Sequence, residues 1–224
     1  MNPFSEANIL DSWQRNATPW IIAVRERQIE SRRMVTDAAI VEAVLATAPG
    51  SVLDMGCGEG WLARALAAEG VAVIGVDATP ELIAHARQAG GGDFRVMSYE
   101  QIAAGELEVR VDALVCNFSL LGDSSTRDLF RAFRSLLTPR GRVLVQTLHP
   151  LSVCGERTCQ DGWIEGSWAG FSADFSDPAP WYFRTLGSWV GLFAEHGLHL
   201  LELHEPLHPH TRKPLSALFV AEPR

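Results

Sequence analysis

Apolar and polar positions along the chain change period several times, and those changes mark the elements. Ser51–Met55 is an apolar run of strand length that ends in a glycine cluster, Gly56, Gly58 and Gly60. Trp61–Glu69 has helical spacing and is closed by Gly70 in the position that follows a helix C-terminus. Val71–Val76 reads as a second strand. Pro80–Ala89 reads as a second helix, with Thr79 as its N-cap and Pro80 at its first position. Phe94–Met97 and Val111–Asn117 are two further strands. Arg127–Leu137 places Leu129, Phe130, Phe133, Leu136 and Leu137 on one helical face, and Pro139–Gly141 ends it before the strand Arg142–Leu148.

Strand and helix signals that alternate in this way predict a parallel sheet with crossover helices. The two ends of the chain differ from this middle. Residues 5–46 read as helical, with Thr36–Ala46 packing on the sheet. Residues 150–185 hold many Gly, Ser, Asp, Pro and aromatic residues without a period, which in a compact domain marks a functional loop. Leu186–His196 is a predicted helix, and Leu198–Glu205 and Pro214–Ala221 are strands close enough in sequence to pair antiparallel. The expected fold is α/β: a Rossmann-like three-layer sandwich with a mostly parallel seven-stranded sheet and an antiparallel last strand. One domain, 1–224, is expected to comprise a helical cap (1–48), a cofactor-binding core (50–149), an aromatic lid or substrate insert (150–185), and a terminal helix with a β-hairpin (186–224).

Composition narrows the function more than the fold. The net charge of −8 comes without a basic stripe interleaved with aromatics, so nucleic acid is disfavoured as a partner. Apolar runs are too short to span a bilayer, and Met1 to Leu10 lacks the basic and apolar regions of a secretory signal. Cys57, Cys116, Cys154 and Cys159 follow no zinc or disulfide spacing, which points to a reducing cytoplasm. His204, His208 and His210 lack a matching carboxylate or cysteine set, so no metal is expected.

The chemistry concentrates in Val52-Leu53-Asp54-Met55-Gly56-Cys57-Gly58-Glu59-Gly60 and in Val73-Ile74-Gly75-Val76-Asp77. Glycines at a strand-to-helix turn let backbone approach a ligand closely. Asp77, twenty-one residues after Gly56 and followed by Ala78, stands where a carboxylate accepts both ribose hydroxyls of a nucleotide. Asp54 then decides which adenosyl ligand fits. A carboxylate at the strand end repels a pyrophosphate and attracts an ammonium, which favours S-adenosylmethionine over a nicotinamide dinucleotide. An NAD-dependent oxidoreductase is therefore the weaker alternative, alongside a non-catalytic cofactor- or partner-binding module.

On these residues the sequence resembles the class I S-adenosylmethionine-dependent methyltransferases, particularly small bacterial ones of the ubiquinone O-methyltransferase type, over residues 50–149. The resemblance implies that Asp54, Gly56, Cys57 and Gly58 surround the methionyl part and that Asp77 holds the ribose. It places Ser98 or the Tyr99 backbone near the adenine, where the family often has an acid. Asn117 and Phe118 would line the pocket near the sulfonium, and the run Trp13 to Trp20 followed by Arg32-Arg33 resembles the cap of relatives, where an arginine, Arg33 being the candidate, would pair with the methionyl carboxylate. S-adenosylhomocysteine would be the product. The acceptor is expected to be a small molecule, held by Trp181, Tyr182 and Arg184 of the insert, with His149 as a candidate general base.

Overall fold

The computed structural model describes residues 4–155 and 158–224; residues 1–3 of the expected cap and signal-free N-terminus, and residues 156–157 of the expected insert, lie outside the described residues. The chain opens with helices α1 (Glu6–Arg15), α2 (Ala17–Arg25) and α3 (Asp37–Ala46), the last entered through a π-helical segment, Arg32–Thr36. Strands and helices then alternate: β1 (Ser51–Met55), α4 (Trp61–Ala68), β2 (Ala72–Asp77), α5 (Pro80–Ala89) and β3 (Asp93–Val96). The series continues with α6 (Tyr99–Ala103), β4 (Val111–Asn117), α7 (Ser124–Leu136) and β5 (Leu137–Leu148). After it come α8 (Pro150–Cys154), β6 (Gly162–Ile164), β7 (Trp181–Phe183), α9 (Leu186–Glu195), β8 (Leu198–His204) and β9 (Ser216–Pro223).

Seven strands form one sheet in the order β3-β2-β1-β4-β5-β9-β8, and β9, last in the chain, runs antiparallel to β5 and β8. This is the expected three-layer α/β fold. Period-two alternation separates its two faces. Val52, Ala113, Val115 and Leu144 pack against α3, α4 and α5, while Leu53, Met55, Leu114, Cys116, Val143 and Val145 pack against α6, α7 and α9. The second layer is the more aromatic, with Phe130, Phe133, Trp189 and Phe193 all buried. Truncating one such ring to alanine costs about 3–5 kcal/mol.

Several expected boundaries shift for identifiable reasons. Helix α7 starts at Ser124 instead of Arg127 because Glu6, far away on α1, accepts from the Ser125 N–H at 3.0 Å and the Ser124 hydroxyl at 2.8 Å. That carboxylate acts as a helix cap supplied by another element. Leu137 belongs to β5, paired with Val111, and a register shift between Val111 and Ala113 absorbs Pro139–Gly141. Helix α6 is an element the apolar period does not predict. Its Ser98/Gln101 capping box is nevertheless present in the sequence.

The insert is more ordered than its composition suggests. Helix α8 follows β5 directly, and β6 and β7 pair antiparallel. Cys154 and Cys159 are joined by a disulfide, with Cα atoms 5.4 Å apart. This corrects the expectation of four unpaired cysteines: five residues of separation suffice when a helix ends between the pair. Among the described residues no helix is long and apolar enough to cross a membrane.

Candidate cofactor site

The site lies at the C-terminal ends of β1, β2, β4 and β5, where ligands bind in open α/β sheets. The Gly56 and Cys57 N–H groups both donate to the Val76 carbonyl, at 2.8 and 3.0 Å, lashing the loop after β1 to the end of β2. Gly56 has φ +71°, and a Cβ there would stand 2.4 Å from Ser119 Cβ. Only glycine fits that turn. Asp77 accepts from the Gly58 N–H at 3.0 Å through Oδ2 and from the Thr79 N–H at 2.8 Å through Oδ1. Each oxygen keeps a lone pair for a ligand hydroxyl.

Asp54 follows Val52 on the α3 side of the sheet and is only 2% exposed. Its Oδ2 has no hydrogen-bond partner. Burial and the Asp77 charge raise its pKa to about 7. Burial also pushes Asp77 up, against the two N–H donors that favour its ionised form. A buried carboxylate without a donor is costly unless a ligand supplies one.

A second buried polar atom without a partner lies in the cap. Arg32 Nη2 is buried and unbonded, although Arg32 Nε donates to Asp37 Oδ1 at 2.9 Å. The guanidinium sits over Trp20 and Trp61, 5.7 and 4.7 Å from their centroids. Trp20 Nε1 in turn lies 3.6 Å from where a Gly58 Cβ would stand, so the cap reaches the glycine loop. The π-turn supplies the geometry: the Asp37 N–H donates to the Arg32 carbonyl, five residues back. Its far end is held by Gln146, which donates to the Thr36 carbonyl at 3.0 Å and to Asn117 Oδ1 at 2.7 Å.

Glu59 fixes the same junction from below. Fully buried, it pairs with Arg25 at 3.1 Å and Arg64 at 2.6 Å, tying α2 and α4 to the loop.

The structure brings most of the expected cofactor residues together. Gly56, Cys57, Gly58, Asp77 and Ala78 line the turn beside Asp54. Tyr99 Oη donates to the Ser119 carbonyl at 3.2 Å and lies 2.8 Å from the Gly56 Cβ position. Phe118 has φ +54°, a strained conformation for a non-glycine residue, held by its N–H bond to the Gln146 carbonyl at 2.8 Å. Ser98 caps α6 through Gln101, so its hydroxyl already has a structural partner.

Three other expectations need correction. Arg33 is exposed, and it is Arg32 that turns toward the loop, because the π-turn rotates the segment by a residue. Arg184 is buried and donates to the Gly122 and Asp123 carbonyls at 3.1 Å and to Asp123 Oδ1 at 2.7 Å, so it clamps a loop instead of facing a substrate. His149 has both ring nitrogens occupied. Nδ1 accepts from the Leu151 N–H at 3.1 Å, so Nε2 carries the proton donated to Glu205 at 2.8 Å. In this arrangement it caps α8 and has no free lone pair for base catalysis. Trp181 and Tyr182 are half-buried on β7, where Tyr182 packs edge-on to Trp163 and Trp181 against Phe183. The sequence places Trp20 and the Arg32-Arg33 pair in the cap without ranking the two arginines, and it does not reveal the roles of Trp61, Gln146 and Asn16, which come from long-range contacts.

A sheet of this order with a reversed seventh strand, a glycine loop after β1 and an acid ending β2 is the arrangement that the resemblance to class I methyltransferases leads one to expect. Residues 52–141 match the family model described as a methyltransferase domain. Similar proteins include the ubiquinone biosynthesis O-methyltransferases of Xanthomonas axonopodis pv. citri and Xylella fastidiosa. The first is 37% identical over 114 residues, covering 49% of this chain and 47% of the relative. The second is 38% identical over 103 residues, covering 44% and 42%. The match thus spans less than half the length of these relatives. Among solved structures, the magnesium protoporphyrin IX methyltransferase of Synechocystis with bound S-adenosylhomocysteine superposes with a TM-score of 0.70 at 18% identity, over 98% of this chain and all of that one. An S-adenosylmethionine-dependent methyltransferase from Mesorhizobium loti gives 0.62 at 20% identity, over 82% and 95%. These likenesses establish the fold.

Proposed function

We propose that the protein transfers the methyl group of S-adenosylmethionine to an oxygen, nitrogen or sulfur atom of a small molecule and releases S-adenosylhomocysteine. The observation that carries this reading is Asp54, a buried carboxylate whose Oδ2 has no donor, at the glycine turn beside Asp77. It suits a cationic ammonium and repels a pyrophosphate, which sets the nicotinamide reading aside.

When bound, the cofactor supplies a methyl on a sulfonium whose leaving sulfide is neutral. The protein's work is then to bind, orient and keep water out. Asp77 accepts the ribose hydroxyls, and Asp54 takes the ammonium. Arg32 offers Nη2 to the methionyl carboxylate, the role that the family resemblance gives to Arg33. Ser98 and Tyr99 border the adenine side, and Asn117 and Phe118 the methyl side. The cap and the aromatic insert close the mouth, where Trp181 and Tyr182 contribute apolar surface to the acceptor side. No side chain is needed as a base when the acceptor is already a good nucleophile.

The reading keeps the protein in the cytoplasm; alkylation of Cys154 and Cys159 thiols in freshly lysed cells would support that location, and an intact disulfide would weigh against it. Isothermal titration with S-adenosylmethionine and S-adenosylhomocysteine, with NAD as control, tests the cofactor. Binding of the two sulfur ligands without NAD supports it, and labelled-methyl transfer to a panel of phenols, amines, acids and thiols then tests the reaction. Absence of binding to both sulfur ligands would sink the reading.

A further inference from the structure

Asp54, next to last in β1, and Asp77, last in β2, lie at the same edge of adjacent paired strands, and both are buried by their surroundings. Asp77 has two backbone N–H donors and so is equipped to carry charge. Asp54 has none: no hydrogen bond or ion pair from the described residues reaches its carboxyl, and it is buried. Two carboxylates in such a site do not both ionise cheaply, and the proton rests on the one without donors.

The other charged or titratable groups around Asp54 do not neutralise it. Cys57 in the loop, Cys116 on β4 and Tyr99 on α6 are pushed up by burial and stay protonated. Glu59 is matched by Arg25 and Arg64. Arg32 of the cap pairs with Asp37 and forms no ion pair with Asp54.

We infer that Asp54 is the proton store of this carboxylate pair and that capture of the cofactor's aminoacyl end expels that proton, making cofactor binding proton-coupled. The inference rests on the cofactor reading above. An ammonium placed at Asp54 favours the ionised form, so binding releases a proton wherever the free protein holds one. Burial already raises Asp54 to about 7. Affinity is therefore flat above that pH and weakens below it, by about tenfold per pH unit.

The test uses two adenosine thioethers: S-adenosylhomocysteine, which has the aminoacyl end, and 5′-methylthioadenosine, which lacks it. Calorimetry is run near pH 6 (about one unit below the Asp54 value) in phosphate and in imidazole, and near pH 8 in phosphate and in Tris, pairs that differ in ionisation enthalpy. S-adenosylhomocysteine should release about one proton near pH 6 and close to none near pH 8. The truncated thioether should show no buffer dependence at either pH. Asp54→Asn should abolish the release, while its binding of the truncated thioether reports that the site is folded. Buffer-independent heats for S-adenosylhomocysteine near pH 6, or release that persists in Asp54→Asn, would overturn the inference and leave the cofactor reading standing. No binding of either thioether by the unaltered protein would overturn both.

Discussion

Asn16 and Ser176 exchange two hydrogen bonds: Asn16 Nδ2 donates to the Ser176 carbonyl at 2.8 Å, and the Ser176 N–H donates to Asn16 Oδ1 at 2.9 Å. Asn16 stands at the α1–α2 junction and is fully buried, so its amide serves the insert's backbone as a neighbouring strand would. Beside it the Ser12 hydroxyl donates to the Asp177 carbonyl at 2.6 Å and Arg15 pairs with Asp177. Trp13, Trp20, Trp168 and Phe171 pack around this clamp. Cap and insert are thereby one body over the glycine loop.

Asn16→Leu leaves the Ser176 N–H without a partner, at about 1–3 kcal/mol, and leaves its carbonyl only the Trp168 Nε1 donor at 2.9 Å. The melting temperature should fall, and amide exchange should rise in residues 165–180 while β1 and β4 keep their protection. Unchanged exchange in the insert would show that the clamp does not hold it.

Asp77→Ala removes the acceptor for two ribose hydroxyls, each bond to a charged group worth about 1.5–3 kcal/mol. Titration should show most cofactor affinity lost, and Asp77→Asn a smaller loss. Unchanged binding in the alanine variant would remove the ribose from this position.

Arg32→Met and Arg33→Met separate two neighbours that sequence alone could not rank. The first should weaken S-adenosylmethionine by about tenfold or more, the loss of one charge-assisted contact of about 1.4 kcal/mol or greater. The exposed Arg33 should be neutral within about twofold. The reverse order would return the carboxylate contact to Arg33.

His149→Asn keeps an N-cap acceptor for the Leu151 N–H and loses the ring with its contact to the half-exposed Glu205. Stability and turnover should both stay near those of the unaltered protein once an acceptor is found. A turnover loss in a stable His149→Asn, with a pH profile flattened near neutrality, would restore the histidine as base.

What the sequence displays is local. The glycine turn, Asp54, Asp77 and the alternation of Val52 to Met55 depend on neighbours a few residues away, and period and turn chemistry suffice to read them. Ser98 with Gln101 is just as local, yet the helix they start is too short for an apolar period to reveal it. The start of α7 is hidden because its cap, Glu6, comes from α1. The choice between Arg32 and Arg33 is hidden because a π-turn breaks the spacing that makes one helical face readable. Arg184 looks like a ligand residue because a buried cation in an aromatic segment has the same composition whether it meets a substrate or the Gly122 carbonyl.

Asp54 also makes a claim on stability without any ligand. Its carboxyl ionises near 3.8 in an exposed, unfolded chain and near 7 when buried beside Asp77. The folded state therefore holds a proton that the unfolded chain has released, and stability falls as pH rises from about 4 to about 7, then levels off. Each pH unit between those two values costs about 1.4 kcal/mol, so the burden above pH 7 amounts to several kcal/mol. Asn at this position cannot ionise, so the ligand-free Asp54→Asn variant should melt several degrees higher than the unaltered protein near pH 8 and nearly level with it near pH 4. Saturating S-adenosylhomocysteine should narrow the gap near pH 8, because the ammonium then offsets the buried charge in the unaltered protein alone. Melting curves that differ equally at both pH values would place the cost of Asp54 in its packing instead of its charge.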